Sequence, residues 1–492
     1  MERATATDIQ RELVDRFIAA LTTVIQAIRV ELAAGRKPRR KTSEPKVSYR
    51  DNGMPSITDG HPWEATGPLQ YTQLLEPDPN PYGPDHVRAL DVGRFEEVDD
   101  LVDFVWANPN CAISVVTSPR GEENPYIDIE RIKIELQLGH AANRFFQLYG
   151  DTEFDDRKRR VIMKPVLHGF FDGRLEVATM VPIALVKFDF DRLRLGPNAY
   201  IMRMSDTLHR KRWTAKAYGA SGHEGVLAAA THAFVITGWR WGNAPWMQVS
   251  NNLSYPTPAL SETIEELFAA LRLVTGVATG YAQELRLARG WSHLHSDETP
   301  EVYGVGARRY PEEFDNFGWM REDLPIITRD QMREAAAVLA SIQSASDDRL
   351  NLAMRRMNTA MIRQDAADAI LDAVIGLEIL LSDSEPQAIS YKLRLRAGAL
   401  ANLSTPGSAP AVAAAVNKIY DARSRIVHGT RKRKKGDPTV DGLAARAAAL
   451  ELIRKVLAVV LQHPRFLDPN IIDTELLLGG NYPDEHSPLR PA

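Results

Sequence analysis

The chain has 492 residues, and the 44% that are hydrophobic are enough to build the cores of two or three domains. Its net charge of -4 excludes a globally basic nucleic-acid-binding protein, so any such binding has to come from a local patch. A single cysteine, Cys111, excludes internal disulfides and cysteine-built metal sites, which is typical of the reducing cytoplasm. There is no run of about 18 uncharged apolar residues and the N-terminus is too charged for a signal peptide, so we expect a soluble cytoplasmic protein without membrane contact.

A long amphipathic helix is predicted near the N-terminus, over about residues 8–34, and Gly35 is expected to end it. The apolar residues on one side of this helix are Leu13, Phe17, Leu21, Val24, Ile25 and Ile28. The basic, proline-containing stretch that follows, with its KPRRK motif, indicates an exposed linker, and contact with nucleic acid is the alternative. We therefore assign residues 1–35 to a helix and residues 36–58 to a basic linker.

Residues 59–325 are predicted to form an α+β domain. Helices are expected over about residues 101–106 and 129–146, and a strand over 112–116. Two strands, 161–171 and 175–183, flank Asp172-Gly173, a dipeptide favoured in type I′ hairpin turns. Further alternation predicts an antiparallel sheet with one buried face, at Phe188, Phe190, Leu193, Leu195, Tyr200, Met202, Met204, His232, Phe234 and Ile236.

Two groups of residues in this domain have a structural and a functional interpretation. Trp239, Trp241 and Trp246 lie close to Arg240 and could stack on bases or bind a ligand, although packing in a core or at an edge is the commoner use of tryptophan. The H-x-H motif at residues 293–295 has a spacing that suits a metal, but no third ligand is specified and an exposed loop explains it better. No nucleotide-loop, dinucleotide, HExxH or GxSxG motif occurs, so we expect neither a metal nor a cofactor.

From about residue 328 the pattern is helical throughout, with short breaks that predict antiparallel neighbours in a bundle. The predicted helices cover about residues 328–345, 348–363, 366–381, 389–402, 411–427 and 443–462. We assign residues 326–475 to this bundle and residues 476–492 to a flexible tail, and we expect the chain beyond about Pro464 to fray.

Arg423 and His428 are the candidate chemical pair of the bundle. Arg423 lies on the apolar stripe of its helix, formed by Val412, Val416, Ile419 and Ile426, where a guanidinium requires a carboxylate, a dimer seam or an anionic ligand. Five residues of helix turn the two side chains roughly 140° apart. They converge only if the last turn loosens or a second protomer contributes. Attraction to the negative end of the helix dipole alone is the alternative explanation.

Glu378 lies in the apolar segment AVIGLEILL, where an ionised carboxylate is costly unless it is paired. Arg423 and Arg356 are its candidate partners, and a helix rotated so that Glu378 faces solvent is the alternative. A Glu–Arg pair would hold the guanidinium in a plane suited to recognising a phosphate.

Five consecutive cations follow the Arg/His helix: Arg431, Lys432, Arg433, Lys434 and Lys435. A charge run of this kind is often only a solvated loop. Next to a candidate Arg/His site, it could instead supply sequence-independent contacts to the phosphate backbone of a nucleic acid.

Three blocks in order, LAMRRMNTAMIRQDAADAILDAVIGLEILL, SDSEPQAISYKLRLRAGAL and IYDARSRIVHG, resemble the HEPN superfamily, most closely its ApeA-like branch. The resemblance covers about residues 352–429 and implies a helical bundle that dimerises, with R-x4-H motifs from two protomers lining one cleft. Arg423 and His428 match the motif, Glu378 matches the acidic position, and Ser424 follows the motif arginine where the family often has another polar residue.

Many HEPN proteins are metal-independent endoribonucleases of antiviral or abortive-infection systems, so the resemblance implies RNA as the substrate and a homodimer as the active form. A histidine that transfers protons and an arginine that stabilises charge suit attack by an RNA 2′-hydroxyl on its own phosphate. Two alternatives stay open. The chain could be a non-catalytic HEPN scaffold with a ligand- or protein-binding N-terminal domain, or a protein that binds nucleic acid through its basic loop.

Overall fold

The structure is a computed structural model that describes residues 6–40, 44–61, 65–75, 95–108, 127–215, 222–254, 258–292, 302–345, 347–385, 387–427 and 438–479. Within these residues the fold is α+β, as the sequence predicts: an antiparallel sheet is combined with a large set of helices. No helix in the described part of the chain is both long and apolar enough to cross a membrane.

The N-terminal helix is confirmed as α1, which spans Ala6–Ala33. All six apolar residues predicted on its inner side are buried, and Gly35 follows the helix with a φ of +85°, a conformation that glycine adopts without steric cost. Three more helices complete this layer: α2 (Glu96–Ala107), α3 (Ile127–Tyr149) and α4 (Asp156–Phe171). Together the four helices enclose a hydrophobic cluster of their own, centred on Phe17, Phe145 and Phe170.

The stretch predicted as an exposed linker is partly folded. Strand β1 (Arg39–Arg40) pairs with β4 (Leu69–Gln70), and β2 (Lys46–Tyr49) pairs with β3 (Pro55–Thr58), both antiparallel. Ile57 is buried in a small cluster with Trp213 and Tyr310, so the segment packs onto the body of the protein. The charged KPRRK motif alone does not predict these strands. The strand that pairs with Arg39–Arg40 and the buried residue Ile57 both lie further along the chain.

The hairpin predicted around Asp172-Gly173 is wrong, because its first arm is helix α4 and only its second arm is a strand. Asp155 caps the helix: its Oδ1 accepts the Lys158 N–H at 2.9 Å. Buried residues then recur at helical rather than alternating spacing, at Ile162, Met163, Val166 and Phe170. Asp172 ends the helix, and Gly173 leads into β5 (Arg174–Pro182).

In the described residues six strands form one antiparallel sheet in the order β11-β10-β5-β9-β8-β7. The other five are β7 (Arg192–Gly196), β8 (Ala199–Arg203), β9 (His232–Gly242), β10 (Tyr281–Ala288) and β11 (Val302–Arg309). The short strand β6 (Lys187–Phe188) pairs in parallel with β12 (Ile326–Ile327) outside this sheet. The expectation of one buried face is wrong for the central strands. On β5, Val181 faces the main core, whereas Ala178 and Met180 belong to a second cluster.

Helices cover both faces of the sheet. The second cluster contains Leu208 of α5 (Asp206–Thr214), and the main core contains Leu267 of α8 (Pro258–Thr275). Two further helices, α6 (Glu224–Ala228) and α7 (Trp246–Ser254), complete the region. The all-helical region predicted from about residue 328 is present in the structure. Its helices are α9 (Arg329–Ala345), α10 (Asp348–Ile362), α11 (Ala366–Leu381), α12 (Ile389–Ser404), α13 (Ala409–Val427) and α14 (Pro438–Gln462).

One hydrophobic core joins these helices to the sheet across the predicted boundary at residue 325. It includes Phe234 of β9, Leu339 of α9 and Leu377 of α11. The chain was expected to fray beyond about Pro464, but it is folded as far as Leu477. Phe466 and Ile472 are fully buried, and Asp473 accepts a hydrogen bond from Arg396 of α12. Two helical turns, Pro464–Leu467 and Ile472–Leu477, flank the short α15 (Pro469–Ile471) in this segment.

Candidate functional site

Helix α13 packs against α11, α12 and α14, and its buried stripe includes Val416, Ile419 and Ala422. Arg423 follows directly on that stripe, as the spacing predicts, in the last turn and a half of the described helix. Its side chain is 30% exposed, so it is partly covered by neighbouring residues and partly open to solvent.

The carboxylate of Glu378 is the partner of Arg423. Glu378 Oε1 lies 3.8 Å from Arg423 Nη2, and the Glu378 side chain is 23% exposed. The expected pairing with Arg423 is therefore present, and the solvent-facing alternative does not apply. The second candidate, Arg356, bonds instead to the carboxylate of Asp372 at 2.9 Å.

The contact between Glu378 and Arg423 is an ion pair rather than a hydrogen bond, because 3.8 Å exceeds hydrogen-bonding distance. The attraction restrains the guanidinium without occupying its N–H donors. Arg349 stabilises the C-terminal end of the helix that carries Glu378: its guanidinium donates to the carbonyls of Ile379 at 2.6 Å and Ser382 at 3.0 Å. The acidic residue is therefore held on a capped helix end.

Beside this ion pair lies a cleft of about 480 Å³ between the N-terminus of α12 and the face of α13. The Cζ atom of Arg423 lies 5.5 Å from the ring centre of Tyr420, and Arg394 lies 5.1 Å from that of Tyr391. We call this surface the Tyr/Arg cleft. Its lining residues are Ala388, Ile389, Ser390, Tyr391, Arg394, Asn417 and Tyr420.

The tyrosines of this cleft were missed from the sequence, although a weak signal exists. Both pairs have the spacing Y-x-x-R, at Tyr391–Arg394 and at Tyr420–Arg423, which places the two side chains on one side of a helix. Spacing alone did not indicate that the two pairs lie on adjacent helices beside the same cleft. That requires the packing of α12 against α13.

Other predicted site residues are placed only in part. Ser424 follows Arg423 on α13 and is partly exposed. His428 and the five cations Arg431, Lys432, Arg433, Lys434 and Lys435 lie outside the described residues, so the predicted convergence of Arg423 with His428 stays a prediction. The H-x-H motif at residues 293–295 also lies outside them. Among the described residues no group of three or more His, Cys, Asp or Glu side chains is arranged to hold a metal.

Arg396, which the sequence did not single out, is nearly buried and is the centre of a charge network on α12. Its Nη2 donates to Asp473 at 2.6 Å and to Asp383 at 2.7 Å, and Nη1 donates to the Leu381 carbonyl. Lys392 also donates to Asp383, at 2.7 Å. Hydrogen bonds from Lys392 and Arg396 hold the pKa of the Asp383 carboxyl well below its ordinary value. This network fastens the C-terminal segment to α12.

The tryptophans of β9 pack in the structure. Trp239 contacts the main core, and Trp241 contacts the cluster formed by Leu175, Val177 and Trp291. Trp291 Nε1 donates to the Glu176 carbonyl at 2.6 Å. Both β9 tryptophans therefore fit the structural interpretation better than base stacking.

Three comparisons of the chain with known proteins found no match. No protein-family model matches the chain, and it has no significant match among curated proteins or solved structures.

Proposed function

We propose that this chain is a metal-independent endoribonuclease of the HEPN type, which cuts RNA in a dimeric cleft as the effector of an antiviral or abortive-infection system. One observation carries the proposal: Arg423 of the R-x4-H string pairs with Glu378 without a hydrogen bond and stays 30% exposed near a helix end. Its N–H donors are therefore available to a phosphate that gains charge during reaction.

The proposed chemistry needs a base, an acid and a stabiliser of negative charge. A base takes the proton of the ribose 2′-hydroxyl, the 2′-oxygen bonds to phosphorus, and the bond from phosphorus to the 5′-oxygen breaks as that oxygen gains a proton. His428 transfers protons near neutral pH, and two protomers supply two histidines. Arg423 stabilises the charge on the phosphoryl oxygens, because the ion pair with Glu378 leaves its donors available. The products carry a 2′,3′-cyclic phosphate and a 5′-hydroxyl.

The test compares the wild-type protein with His428→Ala on single-stranded RNA in the presence of EDTA. We expect cleavage by the wild type, cyclic phosphate ends, no cleavage of DNA, and loss of cleavage in the variant with its oligomeric state unchanged. His61→Ala is the matched control, because His61 is exposed and lies in another part of the chain. Cleavage that EDTA abolishes, or that His428→Ala leaves intact, contradicts the proposal.

Because such a nuclease would be held inactive until triggered, the same two proteins should also be expressed in a bacterial host with and without phage. Toxicity or protection that requires His428 supports the nuclease, with the N-terminal α+β region as the sensor of the trigger.

A non-catalytic HEPN scaffold is the second candidate, and the same ion pair favours it, since Glu378 and Arg423 could stabilise a dimer seam. In that case Arg423→Ala weakens the dimer while His428→Ala changes nothing in the host. Loss of RNA binding only when Arg431 to Lys435 are neutralised would instead favour binding by the basic loop without turnover.

A further inference from the structure

We infer that the Tyr/Arg cleft is a subsite for single-stranded RNA, in which Tyr391 and Tyr420 stack on unpaired bases while Arg394 contacts the phosphates. The inference rests on the proposed nuclease and adds to it the residues that bind the substrate strand. Aromatic faces combined with arginines form a common platform for single-stranded nucleic acid, because every base presents a flat face.

The exposure of Tyr391 is the first argument. This side chain is 55% exposed, whereas Leu393 and Leu400 on the same helix are buried. Arg394 packs over the same ring at 5.1 Å from its centre, which favours one orientation of the ring. An aromatic ring held in place at the mouth of a cleft is preorganised for stacking.

The charge of the cleft is the second argument. Two other cations of α12, Lys392 and Arg396, are neutralised by Asp383 and Asp473. Arg394 has no such carboxylate among the described residues, and the residues that line the cleft include no acid. The N-terminus of α12, where no side chain caps the first turn, forms one wall and adds partial positive charge. This distribution favours an anionic ligand.

Continuity with the candidate catalytic arginine is the third argument. Tyr420 lines the cleft, and Arg423 lies over its ring. The Tyr420 ring packs partly against the main core, and a base that stacks on its exposed part has its phosphate close to Arg423. A duplex fits this arrangement poorly, because its bases are already stacked on one another and cannot cover a tyrosine.

The experiment measures binding of a short fluorescent single-stranded RNA, and of a duplex of the same sequence, to the full chain carrying His428→Ala. We expect Tyr391→Ala to weaken single-strand binding roughly 5- to 150-fold, because stacking on an aromatic side chain contributes about 1–3 kcal/mol per base. Tyr391→Phe, which keeps the ring, should remain within about twofold, and Arg394→Gln should weaken binding and lower its salt dependence.

Tyr49→Ala is the matched control, because Tyr49 is also 55% exposed but lies on β2. Thermal unfolding of each variant verifies that the fold is intact. Binding that is insensitive to both Tyr391→Ala and Arg394→Gln overturns the inference. So does an equal loss with the duplex, or a dimer that dissociates in Tyr391→Ala while RNA binding is unchanged, since the cleft would then be a seam between protomers.

The outcomes also separate this inference from the proposed function. Cleavage that depends on His428 together with binding that ignores Tyr391 refutes the subsite alone. Binding that depends on Tyr391, together with effects in the host that do not require His428, refutes the nuclease alone.

Discussion

Glu378 on α11 and Arg423 on α13 lie 3.8 Å apart, although 45 positions separate them in the sequence. Both side chains are partly exposed, so water screens the pair and its contribution to the stability of the fold is at most about 1 kcal/mol. Its effect is instead to place a carboxylate beside the guanidinium of Arg423 while the N–H donors of Arg423 stay available.

Arg423→Lys tests whether cleavage needs the guanidinium of Arg423 or only its positive charge. We expect cleavage of RNA to fall about 100-fold or more, because lysine keeps the charge but cannot present parallel donors to a phosphate. The free energy of unfolding should change by less than about 1 kcal/mol. Arg425→Lys, on the exposed side of the same helix, serves as the control and should retain activity. Initial rates and urea titrations measure both quantities, and equal rates for the two variants would argue against a role for Arg423 in catalysis.

Arg396→Met should destabilise the protein. The substitution removes the nearly buried partner that Asp383 and Asp473 share, but Asp383 keeps Lys392 and Asp473 is 36% exposed, so we expect a loss of about 1–3 kcal/mol. Arg394→Met, two residues earlier on the same helix, removes only a contact with the Tyr391 ring and should cost about 1 kcal/mol at most. Urea denaturation of both variants provides the comparison. Similar midpoints would show that the network does not anchor the C-terminal segment.

Stability should fall with decreasing pH partly because of His232. Burial lowers the pKa of this histidine to about 4 from its ordinary value of 6.5, and its ring bonds to the Phe190 carbonyl and the Thr231 hydroxyl. Between these pH values the unfolded chain binds a proton that the folded protein does not, so this contribution is complete above pH 6.5 and is lost towards pH 4. One histidine contributes a slope of about 1.4 kcal/mol per pH unit.

His232→Gln removes the group that binds this proton, so the free energy of unfolding should change with pH by about 1.4 kcal/mol per pH unit less than in the wild type. Urea unfolding at several pH values between 4 and 6.5 measures the difference. His209, whose pKa burial lowers to about 3, should account for part of the slope that persists in the variant. An identical slope in the wild type and the variant would contradict the neutral, buried state of His232.

Gly280→Ala tests a close backbone approach beside β10. A Cβ at this position would lie 1.8 Å from the Arg309 carbonyl oxygen, and a backbone atom cannot move aside as a side chain can. We expect destabilisation of about 3 kcal/mol or more. At Gly173 a Cβ would meet no atom within 4 Å, so Gly173→Ala is the control and should cost less than about 1 kcal/mol. Equal thermal midpoints for the two variants would refute this packing.

The helices were largely predictable from local pattern. Helix α1 and the helices from α9 to α14 occur close to their predicted positions, because an amphipathic stripe repeated over several turns has few other ways to bury its apolar residues. The error at Asp172-Gly173 has a local cause as well. The same dipeptide suits a hairpin turn and the end of a helix, and the cap at Asp155, which favours the helix, was overlooked.

The sequence identified which residues belong to the candidate site, but not which of them contact one another. An unusual carboxylate in an apolar helix and an arginine on an apolar stripe identified Glu378 and Arg423 without any structure. The choice between Arg423 and Arg356 was open, because it depends on which side of α11 each neighbouring helix occupies. Packing directs Arg356 to Asp372 and leaves Glu378 facing Arg423.

Local spacing accounts for the helical segments, the buried stripe of α13 and the residue types available for chemistry. The folding of the chain in three dimensions accounts for which charges neutralise one another. On α12 it directs Lys392 and Arg396 towards carboxylates and leaves Arg394 beside an exposed tyrosine. The physical reason is that an ion pair forms over a few ångströms, and the packing of distant segments sets that distance.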